Sequence, residues 1–335
     1  AGDTLDDANF VPSLADNAVL RLWQLEHWVQ DVLKNFEGLR SADAETDSNT
    51  KFYDTVFMSQ LDMTLANVDH AYETMKIRDV LKIGFFDLLS LKEDYKINCG
   101  ENNMRKDILL KYLETQFVVL YPITPHFCEI MWRKYYLPHL PAGHNKPEYL
   151  SNYQWPHVDT EKIDINALRA YQYIKELYRA LRLSFDKCNQ RRKDKTAPIA
   201  KISIIYSPDY YDWQKKVLQV LASCHITEKN EIFDDWKKIF NDDKSIPDDI
   251  KKKSLQFGAY LIKEMKTAGK EILAINLPYN EKELVLKNAE NIKKEFKATE
   301  IELIEADSAK SHSNKLIQQA SNGALPGKPQ AIFEQ

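Results

Sequence analysis

"LDMTLANVDHAYETM", residues 61–75, decides how the first half of this 335-residue chain folds. Leu61, Leu65, Val68, Tyr72 and Met75 step by four, three, four and three, which gathers them on one face of a 3.6-residue helix; a strand would alternate every second residue. The same rhythm spreads outward. Upstream, Leu20, Trp23, Leu25 and Trp28 recur at helical intervals, with Asp6, Asp7 and Asn9 as candidate caps. Downstream, Leu81, Phe85 and Leu88 repeat it, then Leu109, Leu113, Gln116 and Leu120 with one polar member. Between these runs, "SADAETDSNT" (41–50) and "DYKINCGENNM" (94–104) carry turn chemistry. The pattern predicts an antiparallel helical bundle over residues 1–137.

Helix cannot persist through residues 138–167, where Pro138, Pro141, Pro147 and Pro156 recur, and this segment is expected to be an exposed connector open to proteases. A helix resumes near Ile165, basic over 168–195. Beyond it "AKISIIYS" reads as a buried strand, "YYDWQKKVLQVLASC" as a helix, and "KEILAINL", "NEKELVLKNAENIKKEF" and "TEIELIEA" as strand, helix and strand. A further helix is expected to start near Pro247. Residues 196–306 thus form a small α+β module, and the polar residues 307–335 a surface tail. The fold class is mainly α, a helical bundle followed by a small α+β domain.

The composition narrows the function. Apolar residues make up 44% of the chain, enough for two domain cores, while glycine is scarce at 9, which favours long helices. Cys99, Cys128, Cys188 and Cys224 show no C-x-x-C spacing, so they read as reduced thiols rather than a disulfide framework or zinc knuckle. No run approaches the ~18 apolar residues of a membrane span. "LPGKPQ" ends in Pro329, which has no amide to give a phosphate, and no other nucleotide-binding glycine motif occurs. His126 and Cys128 stand two apart on a predicted helix and do not face each other. His139, His144 and His157 lack carboxylates at ligand spacing. No catalytic residue and no metal ligand is assigned.

One feature carries a mechanism. The net charge is −4, yet between Leu168 and Lys201 ten basic residues face three acidic ones, a net of +7. Ile174, Leu177, Leu181 and Phe185 fall on one face of the helix, and Lys175, Arg179 and Arg182 form a separate stripe beside it. Lys187, Arg191, Arg192, Lys193 and Lys195 extend the positive charge, with Tyr171, Tyr173 and Tyr178 interleaved. A charge run is often only a solvated face; here its contrast with an acidic chain favours a polyanion site on these eight basic residues.

"AGDTLDDANF" (1–10) and the Trp-rich helix after it, "MTLANVDHAYETMKIRDVLKIGFFDLLSLKEDY" (63–95) and "LYPITPHFCEIMW" (120–132) resemble the region downstream of the catalytic core in cytosolic, eukaryotic-type leucyl-tRNA synthetases. Tyr72 and Met75 followed by Arg78, Leu81, Gly84, Phe85 and Phe86 resemble the anticodon-binding bundle of class I synthetases for aliphatic amino acids. "ISIIYSPDYYDWQ" (202–214) and "LPGKPQAIF" (325–333) resemble the C-terminal extension of the archaeal and eukaryotic leucine enzymes. The resemblance implies that the ATP- and leucine-binding core and the editing domain lie before Ala1, outside this chain. No position here matches the family's Lys-Met-Ser-Lys-Ser loop or His-Ile-Gly-His signature. It implies leucine tRNA as partner, held by backbone and shape rather than anticodon bases. It implies a cytoplasmic protein, no cofactor here but ATP and Mg in the parent leucine–tRNA ligase, and contact with that enzyme's catalytic domain, with no DNA or membrane partner. The alternative is a protein-docking module for another synthetase or a small GTPase.

Overall fold

Val11, in extended backbone, and Pro12 at the first helical position start helix α1 (Pro12–Lys34) without a side-chain cap. The computed structural model describes residues 3, 9–192, 199–227, 232, 235–242 and 248–334, so Asp6 and Asp7 lie outside the described residues. The chain divides into two compact units, Ala1–Leu168 and Arg169–Gln335.

In the first unit α2 (Ser48–Glu73) is capped by Asp47, whose side chain accepts from the Asn49 and Thr50 amides. Leu61, Leu65 and Val68 are buried as their spacing predicts. Met75 is not: α2 ends at Glu73, Met75 turns left-handed (φ 55°) and is 73% exposed. Likewise α1 buries Leu25, Val29 and Leu33 and leaves Leu20 and Trp23 exposed. After α3 (Ile77–Leu81) the chain widens into a π-helical segment, Lys82–Asp87, before α4 (Leu88–Cys99). Gly84 sits in that segment, where a Cβ would collide with Val119 of α5 (Lys106–Leu120); its carbonyl accepts from the buried Gln116 side chain at 2.9 Å. The one polar member of the α5 pattern is therefore a hydrogen-bonding partner in the core.

A buried ion pair ties these elements together. Arg40 Nη2 donates to both oxygens of Asp54 at 2.6 and 2.8 Å, the Tyr95 hydroxyl donates to Asp54 Oδ1 at 2.6 Å, and Arg40 Nε reaches the Asn103 carbonyl at 3.1 Å. The loop before α2, α2 itself, α4 and the turn before α5 thus meet at one carboxylate.

Residues 138–167 are not a free connector; they belong to the first unit. After α6 (Pro125–Met131), Glu129 accepts from the Leu150 and Ser151 amides, Trp132 Nε1 donates to the Pro147 carbonyl at 3.1 Å, and Lys146 Nζ binds Glu114 at 2.7 Å. Proline forbids helix here but leaves carbonyls and apolar side chains free to dock, and Leu150 and Ile163 are buried.

Helix α7 (Ile165–Arg191) begins where Asp164 Oδ1 accepts from the Ala167 amide, and from Arg169 onward it belongs to the second unit. The sheet has the order β2–β1–β3: β1 (Ile199–Tyr206) pairs parallel with β2 (Ala298–Glu305) and antiparallel with β3 (Gln330–Glu334). Two expectations are corrected. "KEILAINL" is a 3₁₀ turn at Lys270–Leu273 whose Leu273, Ile272 and Ile275 pack against α8 (Asp212–Ser223), α9 (Trp236–Asp242) and α10 (Asp248–Ala268). Its apolar rhythm is satisfied by side-chain packing, not by a ladder. Pro247 lies outside the described residues. The expected tail instead folds. After α11 (Glu281–Phe296) and β2, α12 (Ala306–Ala309) and α13 (Lys315–Ser321) bury Ala309 and Ile317 against Ile205 and Ile304, and β3 fills the free edge of β1.

Glu281, at the start of α11, is buried with Oε1 accepting from the Gly327 amide at 3.1 Å, and Gly327 holds the left-handed backbone (φ 79°) that aims that amide. Burial pushes this acid up to about 8. Its folded form keeps a proton that the unfolded chain gives up above its ordinary carboxylate range, so stability falls as pH rises from about 4.5 to 8. Glu281→Gln should flatten that fall and match or exceed the wild-type melting temperature at pH 8; a variant markedly less stable there contradicts it. Asp54→Ala, which strands Arg40, should cost the first unit ~3–5 kcal/mol in urea unfolding; a loss below ~1 kcal/mol would mean the pair is not its keystone.

Candidate nucleic-acid interface

The basic stripe depends on how α7 is seated. Ile174, Leu177 and Leu181 are buried, and Phe185 closes an aromatic triad with Phe296 of α11 and Phe333 of β3, ring centroids 5.3–5.4 Å apart. Tyr173 packs on Tyr279 at 5.4 Å, and Arg169 Nη2 reaches the Glu271 carbonyl at 3.1 Å. With this face docked, Lys175, Arg179, Arg182 and Lys187 all project from the exposed side. At 100° per residue the first three lie within about 60° of one another, and Lys187 stands about 120° round from Lys175.

The two arginines of the stripe are held only by exposed ion pairs. Arg179 lies 3.5 Å from Glu176 with its side chain 71% exposed, and Arg182 Nε lies 3.0 Å from Glu295 with its side chain 66% exposed. Exposed pairs of this kind contribute ~0–1 kcal/mol, so a phosphate can take over either guanidinium. Lys175 Nζ rests 5.0 Å from the centre of the Tyr171 ring, and Arg182 sits 5.9 Å from that of Tyr178.

The remaining basic residues divide. Arg192 is buried, its Nη1 donating to Asn189 Oδ1 at 3.2 Å. It is not part of the exposed stripe. Lys193 and Lys195 lie outside the described residues, as does the side chain of Arg191. The interleaved tyrosines also change role: Tyr171 and Tyr173 are core residues, and only Tyr178 is partly exposed. Stacking on bases is therefore not what this helix offers; its chemistry is that of a row of cations suited to a phosphate backbone.

Other candidates have no such arrangement. Cys128 is buried against Thr124 and its thiol is pushed up to about 12 by that burial, while His126 is exposed, so the two do not form a nucleophile and base. In "LPGKPQ" the Gly327 amide is spent on Glu281 and Lys328 Nζ on Glu264 at 2.6 Å. Among the described residues no cluster of three or more His, Cys, Asp or Glu side chains could hold a metal ion, and no helix is long and apolar enough to cross a membrane.

Residues 54–201 match the anticodon-binding domain of tRNA ligases, a match that runs from the buried Asp54 through the whole of α7 into β1. Relatives extend the likeness to the remainder. The chain is similar along its whole length to cytoplasmic leucine–tRNA ligases. It is 31% identical to that of the orangutan Pongo abelii over 99% of its residues, 28% to that of Dictyostelium discoideum over 99%, and 26% to that of Saccharomyces cerevisiae over 100%. It spans only 27–30% of the length of these ligases. The helical first half and the α+β second half thus both have counterparts in the leucine–tRNA ligases, including the polar C-terminal stretch whose burial the sequence does not announce.

Proposed function

We propose that this chain is the tRNA-binding, C-terminal part of a cytoplasmic leucine–tRNA ligase, holding leucine tRNA by its backbone and shape while a catalytic domain outside these residues leucylates it. The observation that carries the reading is the exposed cation row of α7, which lies inside the stretch that matches an anticodon-binding domain. Phosphate contacts from such a row fix register and orientation without reading bases. ATP and Mg belong, in this reading, to that catalytic domain, and no step is assigned to them here. A protein-docking role, toward another synthetase or a GTPase, is favoured instead by the apolar residues exposed on and before α1, Phe10, Leu14, Val19 and Trp23, and is the competing outcome.

Charge reversal separates the two. Arg179→Glu with Arg182→Glu should weaken leucine tRNA binding at least tenfold in a filter or mobility assay, while leaving stability within ~0.5 kcal/mol per site because both side chains lie off the docked face. The same number of charges reversed at Asp43 and Glu45, exposed in the loop before α2, should not weaken it. Arg192 is unsuited to this test, being buried. Full tRNA affinity in the natively melting Arg179/Arg182 variant would overturn the assignment and leave docking as the better reading.

A further inference from the structure

The second unit contains a groove that the basic helix does not explain. It has a volume of about 800 Å³, with Tyr211 and Trp213 from the start of α8, Tyr260 and Lys253 from α10, and Lys310 and Lys328 from residues 307–330. Three ammonium groups and three partly exposed aromatic rings line it, and among the described residues no carboxylate does. The rings are held in place from beneath: Trp213 meets Phe257 edge-on at 5.6 Å, and Tyr260 lies stacked with the same ring at 6.3 Å. Two of the lysines already sit over rings, Lys310 Nζ 4.5 Å from Tyr211 and Lys328 Nζ 4.6 Å from Tyr260.

We infer that this groove binds one unstacked nucleotide, its base on the aromatic floor and its phosphate among Lys253, Lys310 and Lys328. A flat π-system with a charged group at one edge matches aromatic faces and ammonium groups placed side by side, and stacking of this kind accepts any base. A phosphate alone would leave the aromatic floor unused; an apolar peptide would leave three cations desolvated without a partner. Lys310 now pairs with Asp307 at 2.7 Å and Lys328 with Glu264 at 2.6 Å. The Lys310 pair is well exposed, so an incoming phosphate replaces a weak partner; Lys253 projects to solvent with no ion pair among the described residues. The groove exists only because the polar C-terminal stretch folds back, since it brings both Lys310 and Lys328.

The inference rests on the RNA-binding reading only for the source of the nucleotide, and the test keeps the two apart. The whole 335-residue protein is irradiated with a single-stranded oligonucleotide carrying 4-thiouridine, and cross-linked peptides are read by mass spectrometry; uridine 5′-monophosphate and inorganic phosphate serve as competitors. Cross-links should concentrate on peptides holding Tyr211, Trp213 or Tyr260, and they should persist in the Arg179/Arg182 variant. Trp213→Leu should weaken binding about 5- to 150-fold, the range expected for one stacked base. Lys253→Gln with Lys310→Gln, both surface changes, should lower the salt slope by about 0.7 per contact and guards against misfolding of the Trp213 variant. Competition by the mononucleotide at concentrations where phosphate does nothing supports the inference and points to a free nucleotide. Tighter capture of the oligonucleotide supports it and points to RNA. Equal competition by inorganic phosphate, cross-links confined elsewhere, or unchanged affinity and slope in the lysine pair would each overturn it.

Discussion

The seating of α7 through the Phe185–Phe296–Phe333 triad is the constraint on which the second unit's surface depends. It brings one helix, one neighbouring helix and the last strand to a single contact. Once Ile174, Leu177 and Leu181 are buried beside it, the rotation of α7 is fixed, and with it the side from which Lys175, Arg179, Arg182 and Lys187 project. Burying those three aliphatic side chains contributes ~1.5–3 kcal/mol each, whereas the ion pairs on the opposite face contribute little. The strong apolar contacts set the geometry, and the weak polar ones leave the cations available.

The first unit solves a different problem with a different device. Its α2, α4 and connecting turns meet at Asp54, where a carboxylate that would be costly to bury alone is satisfied by Arg40 and Tyr95. The Lys146–Glu114 pair and the Glu129 contacts pin the proline-rich stretch in the same way, so that a segment unable to form helix still has a defined path.

Helices were legible in the sequence wherever an apolar face repeated, as at Leu61, Leu65 and Val68, and so was the buried strand Ile202–Ile205. What periodicity cannot supply is context. Met75 continues the rhythm of α2 yet lies past its end, since a left-handed residue leaves no mark in hydropathy. "KEILAINL" has the composition of a strand, but the edge of β1 it would have needed is taken by β3, whose own polar surroundings masked it. Tyr171 and Tyr173 were equally compatible with stacking on a ligand and with packing in a core, and tertiary packing chose the core. The stripe Lys175–Arg179–Arg182 was readable because it needs only helical geometry. The burial of Arg192 is a matter of tertiary packing, and the groove around Trp213 is built from segments far apart in sequence.

The central claim is that cations on α7 meet RNA phosphates, and the most direct measurement is the salt dependence of leucine tRNA binding by the unmodified protein. With four exposed cations at ~0.9 per phosphate, log affinity should fall against log salt concentration with a slope of about −3 to −4. A slope near zero at measurable affinity would contradict the account, because contact through apolar or base-reading groups releases few counterions.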